Sequence, residues 1–304
     1  MSTCDTTEQK KRPPQMVIEV MDETIGLNAY VVIDSTRDGR CCGGIRILEN
    51  VTLEEALEEV KVLARAMTMK YNFVGSIMGG GKGVIILPQN CSPQRRADIL
   101  KTFGKRLSPI LRNRVYIPWT DMNCNKEDIN LIMKSAGMKF KVMDDSAYFT
   151  ALTVFSAVKG ACESQNMNLS NVSVAIEGFG NVGSYLAKEF EIVGAKLVAV
   201  STKEGAIYNK LGLDINNLIR LREQYGDDCV KHYEDSEVID KKQLLELDVD
   251  ILIPCARPWT INSENVDRIR AKIITPGANI PVTESAEKIL FEKKILYLPD
   301  FVCN

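Results

Sequence analysis

The chain has 304 residues, 45% of them hydrophobic and 26% charged, with 38 lysines and arginines against 40 aspartates and glutamates. This is long and apolar enough for two domains of ordinary size, each with its own core. The near balance of charge excludes a large single-sign field, and so argues against nucleic acid or an anionic membrane surface and for a small polar ligand.

The N-terminus, MSTCDTTEQKKRPPQ, is polar and expected to be disordered rather than a signal peptide. No apolar run approaches the length of a membrane span, and a cytoplasmic protein is expected. The nine cysteines (Cys4, Cys41, Cys42, Cys91, Cys124, Cys162, Cys229, Cys255, Cys303) are odd in number, scattered and without a Cys-x-x-Cys pair. They read as small core fillers in a reducing compartment, with neither a metal site nor a disulfide framework. Since His232 is the single histidine, lysine and carboxylate must carry most acid–base chemistry near neutral pH.

Thr52 and Glu55 have capping-box spacing, and Leu53, Ala56, Leu57, Val60, Leu63, Ala64 and Met67 then recur at three and four, which predicts an amphipathic helix. Its phase places Lys70 on the face of Met67, where the apolar stripe ends; a lysine there either serves a site or simply snorkels to water. In MGGGKGVIILP, Gly79, Gly80, Gly81 and Gly83 are expected to let the backbone approach a ligand, with Lys82 as the functional side chain. A Walker phosphate loop is excluded, because its required positions hold Ser76 and Gly83. The following VIIL reads as a buried parallel strand.

A helical stretch over about 93–111 and a strand VYIP follow, then Trp119, Thr120 and Asp121 before a helix start near Asn125. Asp121 thus stands past the end of a strand, where α/β sheets bind ligands, or else it caps the next helix. A linking helix is expected over Ser146 to Ser164. From Val172, the strand VSVAIE, the turn Gly178-Phe179-Gly180-Asn181-Val182-Gly183, a helix and the strand AKLVAVS form a dinucleotide-binding fingerprint. Gly178 makes the tight turn, Gly180 admits the pyrophosphate and Gly183 brings helix and strand together. VDILIPC, AKIITPGAN and ILYLPDFV are expected to extend the parallel sheet. At the end of the second strand stands Ser201-Thr202-Lys203-Glu204. Lys203, and the lack of an acid at 202, suit a 2′-phosphate, while Glu204 suits a ribose hydroxyl, so both NAD and NADP stay open.

Together GGIR (Gly43 to Arg46), MTMK ending in Lys70, MGGGKG, PWTD ending in Asp121, GFGNVG, PGAN (Pro276 to Asn279) and LPDFVCN resemble, in order, the motifs of the glutamate/leucine/phenylalanine/valine dehydrogenase family. The resemblance runs from about residue 30 to the end. It implies two α/β domains with a deep cleft between them: a substrate and catalytic domain over 1–145 that also forms homo-oligomers, and a Rossmann-type NAD(P)-binding domain over 146–304. It implies reversible oxidative deamination of an L-amino acid to a 2-oxo acid and ammonia. Lys70 would hold the substrate carboxylate, Lys82 would be the catalytic lysine, lowered in pKa by the crowding of two ammonium groups, and Asp121 would shuttle protons. Gly43, Gly44, Cys42, Met67 and Trp119 would line the substrate. Gly178, Gly180, Asn181, Val182, Gly183, Thr202, Lys203, Thr150, Ala256 and Asn279 would hold the cofactor.

Glutamate-specific relatives carry a lysine where this chain has Cys42, which favours an apolar or aromatic substrate over glutamate. Trp119, where relatives tend to carry a small residue, either shapes the pocket or packs between domains. The family's LPDF segment continues into a glycine-rich stretch and further helices, whereas this chain ends at Asn304. A fragment of a longer protein, a shortened member, or a nucleotide-binding relative without turnover are the resulting expectations.

Overall fold

The computed structural model describes residues 12–139, 142 and 146–304. The N-terminal residues 1–11, with Cys4, and the expected boundary at residue 145 lie outside the described residues. The chain divides into two compact units, Met1–Met143 and Asp144–Asn304.

The first unit contains β1 (Met16–Asp22), β2 (Leu27–Ile33), β3 (Cys41–Glu49), α1 (Leu53–Phe73), β4 (Gly79–Leu87), α2 (Pro93–Arg106), α3 (Ser108–Arg112), β5 (Tyr116–Thr120) and α4 (Lys126–Ser135). Among the described residues its strands form one five-stranded sheet in the order β1-β2-β4-β3-β5. β4 is central, antiparallel to β2 and parallel to β3, so the VIIL segment is parallel on one side alone. The capping box closes as the spacing predicts, with Thr52 and Glu55 exchanging side-chain-to-backbone bonds at the start of α1. α1 buries Ala56, Val60, Leu63, Ala64 and Ala66; a fully buried valine or leucine contributes about 1.5–3 kcal/mol. Alternation along β4 sends Ile85 and Leu87 into a core shared with α2 and α4, and Val84 and Ile86 to the α1 face. The stretch expected as one helix over 93–111 breaks at Leu107, because Pro109 near the start of α3 cannot donate to a continuing helix.

The glycine run differs from its sequence reading. Gly79, Gly80, Gly81 and Gly83 lie inside β4 and are fully buried. A Cβ on Gly79 would stand 2.1 Å from the Ser35 carbonyl oxygen, one on Gly80 2.1 Å from the Thr68 nitrogen of α1, one on Gly81 2.9 Å from Cys41 Sγ, and one on Gly83 3.0 Å from Ile45 Cγ1. Here the close approach is of protein to protein: a helix and a neighbouring strand touch the backbone of β4.

The second unit contains α5 (Ser146–Ser164), β6 (Ser173–Glu177), α6 (Asn181–Val193), β7 (Lys196–Thr202), β8 (Gly205–Tyr208), α7 (Ile215–Tyr225), β9 (Glu237–Ile239), α8 (Lys241–Leu245), β10 (Ile251–Pro254), β11 (Ile273–Ile274), α9 (Glu284–Glu292), β12 (Leu296–Tyr297) and α10 (Asp300–Cys303). Its strands order as β12-β11-β10-β6-β7-β8-β9. Val174, Ile176, Ile251, Ile253 and Ile273 face one core, while Ala175, Leu252 and Ile274 face another. A sheet covered on both faces reads as continuous apolar runs, as these strands do. VDILIPC, AKIITPGAN and the start of ILYLPDFV extend the parallel sheet as β10, β11 and β12, while β8 and β9 pair antiparallel on the β7 side and make the sheet as a whole mixed. One expectation is corrected. ILYLPDFV is a strand only at Leu296–Tyr297, because Pro299 opens the short helix α10, whose Val302 and Cys303 N–H groups bond the Pro299 carbonyl. No helix among the described residues is long and apolar enough to cross a membrane.

Gly43 presents the tightest approach, since a Cβ there would lie 1.7 Å from the Gly81 carbonyl oxygen. Gly43→Ala must push β3 and β4 apart, and is expected to destabilise the first unit by about 3 kcal/mol or more, read by urea unfolding; a loss below about 1 kcal/mol would contradict this packing.

Candidate functional site

Lys82, the fourth residue of β4, points to the α1 face of the sheet and is 3% exposed. Its Nζ lies 2.9 Å from Asp121 Oδ2. Arg46, also buried, brings its Nε to 3.0 Å from the same oxygen and pairs through Nη1 with Glu59 of α1. Two buried cations thus meet two carboxylates, which is the condition for keeping them away from water. Burial would raise the Asp121 pKa, but the charges of Lys82 and Arg46, with their hydrogen bonds, outweigh it and hold the carboxyl well below the usual range. At neutral pH Asp121 is a carboxylate.

The loop after β5 fixes this geometry. Asn123 donates to the Ile47 carbonyl and Ile47 N–H to the Met122 carbonyl, stitching the loop to β3. The helix that follows is capped by Asn125 in a box with Asp128, so Asp121 is not its cap. A Cβ on Gly44 would stand 2.7 Å from that of Asp121, so glycine at this position leaves room for the carboxylate. In GGIR, then, Gly43 admits β4, Gly44 admits Asp121 and Arg46 pairs with it.

Around this cluster stand further residues singled out in the sequence. Met67 lies over Gly43, its Cγ 3.5 Å from where a Cβ would be. Cys42 is half-buried, with its thiol pKa pushed up by burial, against the hydrogen bond from Tyr71, the Gly43 backbone and the charge of Lys82. Lys70 is half-buried in the last turn of α1, beside Tyr71. Trp119, half-buried on β5, packs against the core of the first unit.

The second unit builds the glycine turn. Gly178 has φ 99°, a left-handed conformation that favours glycine, and a Cβ there would meet Ala256 at 2.7 Å. A Cβ on Gly180 would meet nothing within 4 Å, whereas one on Gly183 would lie 2.4 Å from the Gly178 carbonyl. Gly180 is the N-cap of α6 and provides no side-chain cap bond. An open approach to a helix start with unsatisfied N–H groups fits a pyrophosphate. Ser201 holds the turn in place: its hydroxyl accepts from Gly178 N–H and its carbonyl from Phe179 N–H. Gly277, two residues before Asn279, packs against Val182 and Cys255. Asn181 accepts from Arg222, and Thr202 closes β7 with Lys203 exposed beyond it. Thr150 is half-buried on α5, its carbonyl accepting from Thr153.

Sequence reasoning assigned no role of their own to Arg46, Glu59, Tyr71, Glu177 and Ser201, although Arg46 ends the GGIR motif and Ser201 opens the segment at the end of the second strand. Arg46 had a signal, a charge inside the apolar run CCGGIRIL, and so had Glu177, which ends the apolar SVAI. Glu177 is 9% exposed and takes a bond from Ala256 N–H at 3.3 Å. Burial pushes its carboxyl up to about 7 from the usual 4.5, against that bond and the charges of Arg257 and Lys241. Because the folded form holds the proton more tightly, Glu177 costs stability increasingly as pH rises from about 4.5 to about 7. Glu177→Gln is therefore expected to gain stability over the parent progressively across that window, up to about 3 kcal/mol at pH 8, in thermal melts with pH. A pH-independent difference would contradict this.

The family model described as Glu/Leu/Phe/Val dehydrogenase, dimerisation domain, matches residues 14–138, and Glutamate/Leucine/Phenylalanine/Valine dehydrogenase matches 143–304. The glutamate dehydrogenase of Aeropyrum pernix is 34% identical over 278 residues, covering 86% of this chain. The chain spans 65% of that relative, just under two thirds of its length. Among solved structures, a hetero-hexameric glutamate dehydrogenase from Thermus thermophilus superposes with a TM-score of 0.79 at 23% identity, over 95% of this chain and 72% of that one, and shares the fold. L-tryptophan dehydrogenase from Nostoc punctiforme superposes with a TM-score of 0.63 at 28% identity, over 96% and 78%. The chain belongs to the glutamate/leucine/phenylalanine/valine dehydrogenase family.

Proposed function

We propose that the chain carries the catalytic machinery of an NAD(P)-dependent amino-acid dehydrogenase, converting an L-amino acid and water reversibly to the 2-oxo acid and ammonia. The observation that carries this reading is the buried Lys82–Asp121–Arg46 cluster in a chain that also holds a dinucleotide-type glycine turn. Bound NAD(P) would supply the hydride acceptor for the substrate Cα and the hydride donor in the reverse direction. Thr150, Gly178, Gly180, Asn181, Val182, Gly183, Thr202, Lys203, Ala256 and Asn279 would hold it.

Lys70 pairs with the α-carboxylate and orients the Cα–H bond. Asp121, kept ionised by its two cations, takes a proton from the substrate ammonium and returns it to the departing ammonia. Lys82 assists the water that adds at the same carbon, stabilising charge as it develops on that oxygen. Cys42, Gly43, Gly44, Met67 and Trp119 line the side chain.

A half-buried neutral thiol at Cys42, bonded to Tyr71, favours an apolar or aromatic amino acid, leucine or valine ahead of phenylalanine or tryptophan, since an unpaired carboxylate there is costly. The names of the relatives from Aeropyrum and Thermus favour a second reading, glutamate, which requires another cation in place of the one missing at Cys42. The dimerisation-domain match supports a homo-oligomer, as does the edge strand β1 with exposed Met16, Val17 and Met21. The odd number and scattered spacing of the cysteines favour a reducing, cytoplasmic setting.

Absorbance at 340 nm, with leucine, valine, phenylalanine, tryptophan and glutamate offered with NAD and then NADP, is expected to show turnover of an apolar substrate. Faster oxidation of glutamate than of leucine would replace the first substrate reading by the second. Lys82→Ala and Asp121→Asn are each expected to lower kcat at least ~10³-fold while leaving NADH binding intact, and normal turnover in either would remove its role. Arg46→Gln, which removes one of the two cations on Asp121 and leaves Glu59 unmatched, is expected to destabilise the first unit by about 3 kcal/mol or more in urea unfolding; a loss below about 1 kcal/mol would show that Arg46 is not part of what holds the cluster together.

A further inference from the structure

The acid that reads the adenosine ribose is absent from the end of β7, where Thr202 is followed by Lys203. Glu204, the nearest acid in sequence, is engaged elsewhere: its Oε2 lies 2.6 Å from Lys231 Nζ, which also pairs with Asp228 at 2.6 Å. Another carboxylate reaches the strand end. The Thr202 hydroxyl donates to the Asp227 carbonyl at 2.7 Å, pinning the 3-10 turn Gly226–Lys231 against the last residue of β7. The backbone of Asp227, 25 positions further along the chain, is thus held against the end of the strand.

Its carboxylate is held from two sides. Lys203 Nζ lies 3.3 Å from Oδ2 and Arg222 Nη1 3.8 Å from Oδ1. The Arg222 guanidinium also donates to the Phe179 carbonyl and, at 3.2 Å, to Asn181 Oδ1, both in the glycine turn. One cation from α7 therefore ties the turn that fits a pyrophosphate to the carboxylate beside the strand end. The Asp227 side chain is 41% exposed, open enough to accept bonds from a ligand.

Resting on the dinucleotide reading above, we propose that Asp227 is the residue that accepts the adenosine ribose hydroxyls, and that it makes the chain select NAD over NADP. Two neighbouring hydroxyls can donate to one carboxylate, whereas a 2′-phosphate would face it as a like charge. Lys203 and Arg222, which would otherwise attract that phosphate, are paired with Asp227, and Lys231 is paired with Glu204 and Asp228. Three cations meet three carboxylates, so Lys203, Arg222 and Lys231 are each matched before a ligand arrives; a further cation, Lys241, donates to the Lys203 carbonyl at 2.9 Å, and Asp227 stands between these charges and an incoming dianion. Lys203 in this arrangement is a counter-ion of Asp227.

Calorimetry with 5′-AMP and 2′,5′-ADP tests this without turnover. The parent is expected to bind 5′-AMP at least tenfold more tightly than 2′,5′-ADP. Asp227→Asn, which keeps the backbone bond to Thr202 and frees both cations, is expected to weaken 5′-AMP about three- to tenfold and tighten 2′,5′-ADP about tenfold, and adding Lys203→Gln should reverse part of that gain. NADH and NADPH titrations should follow the same order. A parent that binds 2′,5′-ADP as well as 5′-AMP, or a preference unchanged in Asp227→Asn, overturns the assignment. Binding of neither nucleotide by the parent overturns the dinucleotide reading itself, and this proposal with it.

Discussion

The first unit is organised around a buried ionic cluster in which Lys82 and Arg46 share one oxygen of Asp121 while Arg46 also meets Glu59. Each partner comes from a different element: β4, β3, the loop after β5, and α1. A buried charge without its partner costs several kcal/mol, so these elements must meet in one register or not at all. The glycines follow from that requirement. Backbones close enough for four side chains to converge leave no space for a Cβ at Gly43, Gly44 or Gly80. The same convergence sets the chemistry, because two cations on one carboxylate keep it ionised.

In the second unit the corresponding constraint is a glycine turn held at both ends. Ser201 at the end of β7 binds it through side chain and backbone, while Ala256 after β10 crowds Gly178 from the other side. Arg222 adds a tie from α7. The turn is thus fixed by strands β6, β7 and β10 together, and the N–H groups at the start of α6 are aimed before any ligand arrives.

What could be read from the sequence was what local geometry dictates. The capping box at Thr52 and the close packing of Gly183 on the Gly178 carbonyl each arise from neighbours within a few residues, and each is visible in the order of residues alone. The run at Gly79–Gly83 had the same composition but a different cause: only the long-range pairing of β4 with β3 and α1 shows that those glycines admit protein backbone. Distance along the chain hid the rest. Arg46 and Asp121 meet across 75 positions, and the carboxylate beside β7 comes from 25 positions beyond that strand. The short strands β8 and β9 lie on an edge of the sheet, where apolar patterning is weak. In LPDFV the apolar residues look like a strand, but Pro299 starts a helix.

The crowding in the first unit also divides its positions by how freely they can change over evolutionary time. At Gly43, Gly44 and Gly80 any larger residue collides with main chain, so these sites are frozen whatever molecule the protein acts on. Cys42, Met67 and Trp119, by contrast, are half-buried side chains. Under the lining proposed above, a scaffold partitioned in this way confines any change of side-chain preference to such positions while its ionic centre stays fixed.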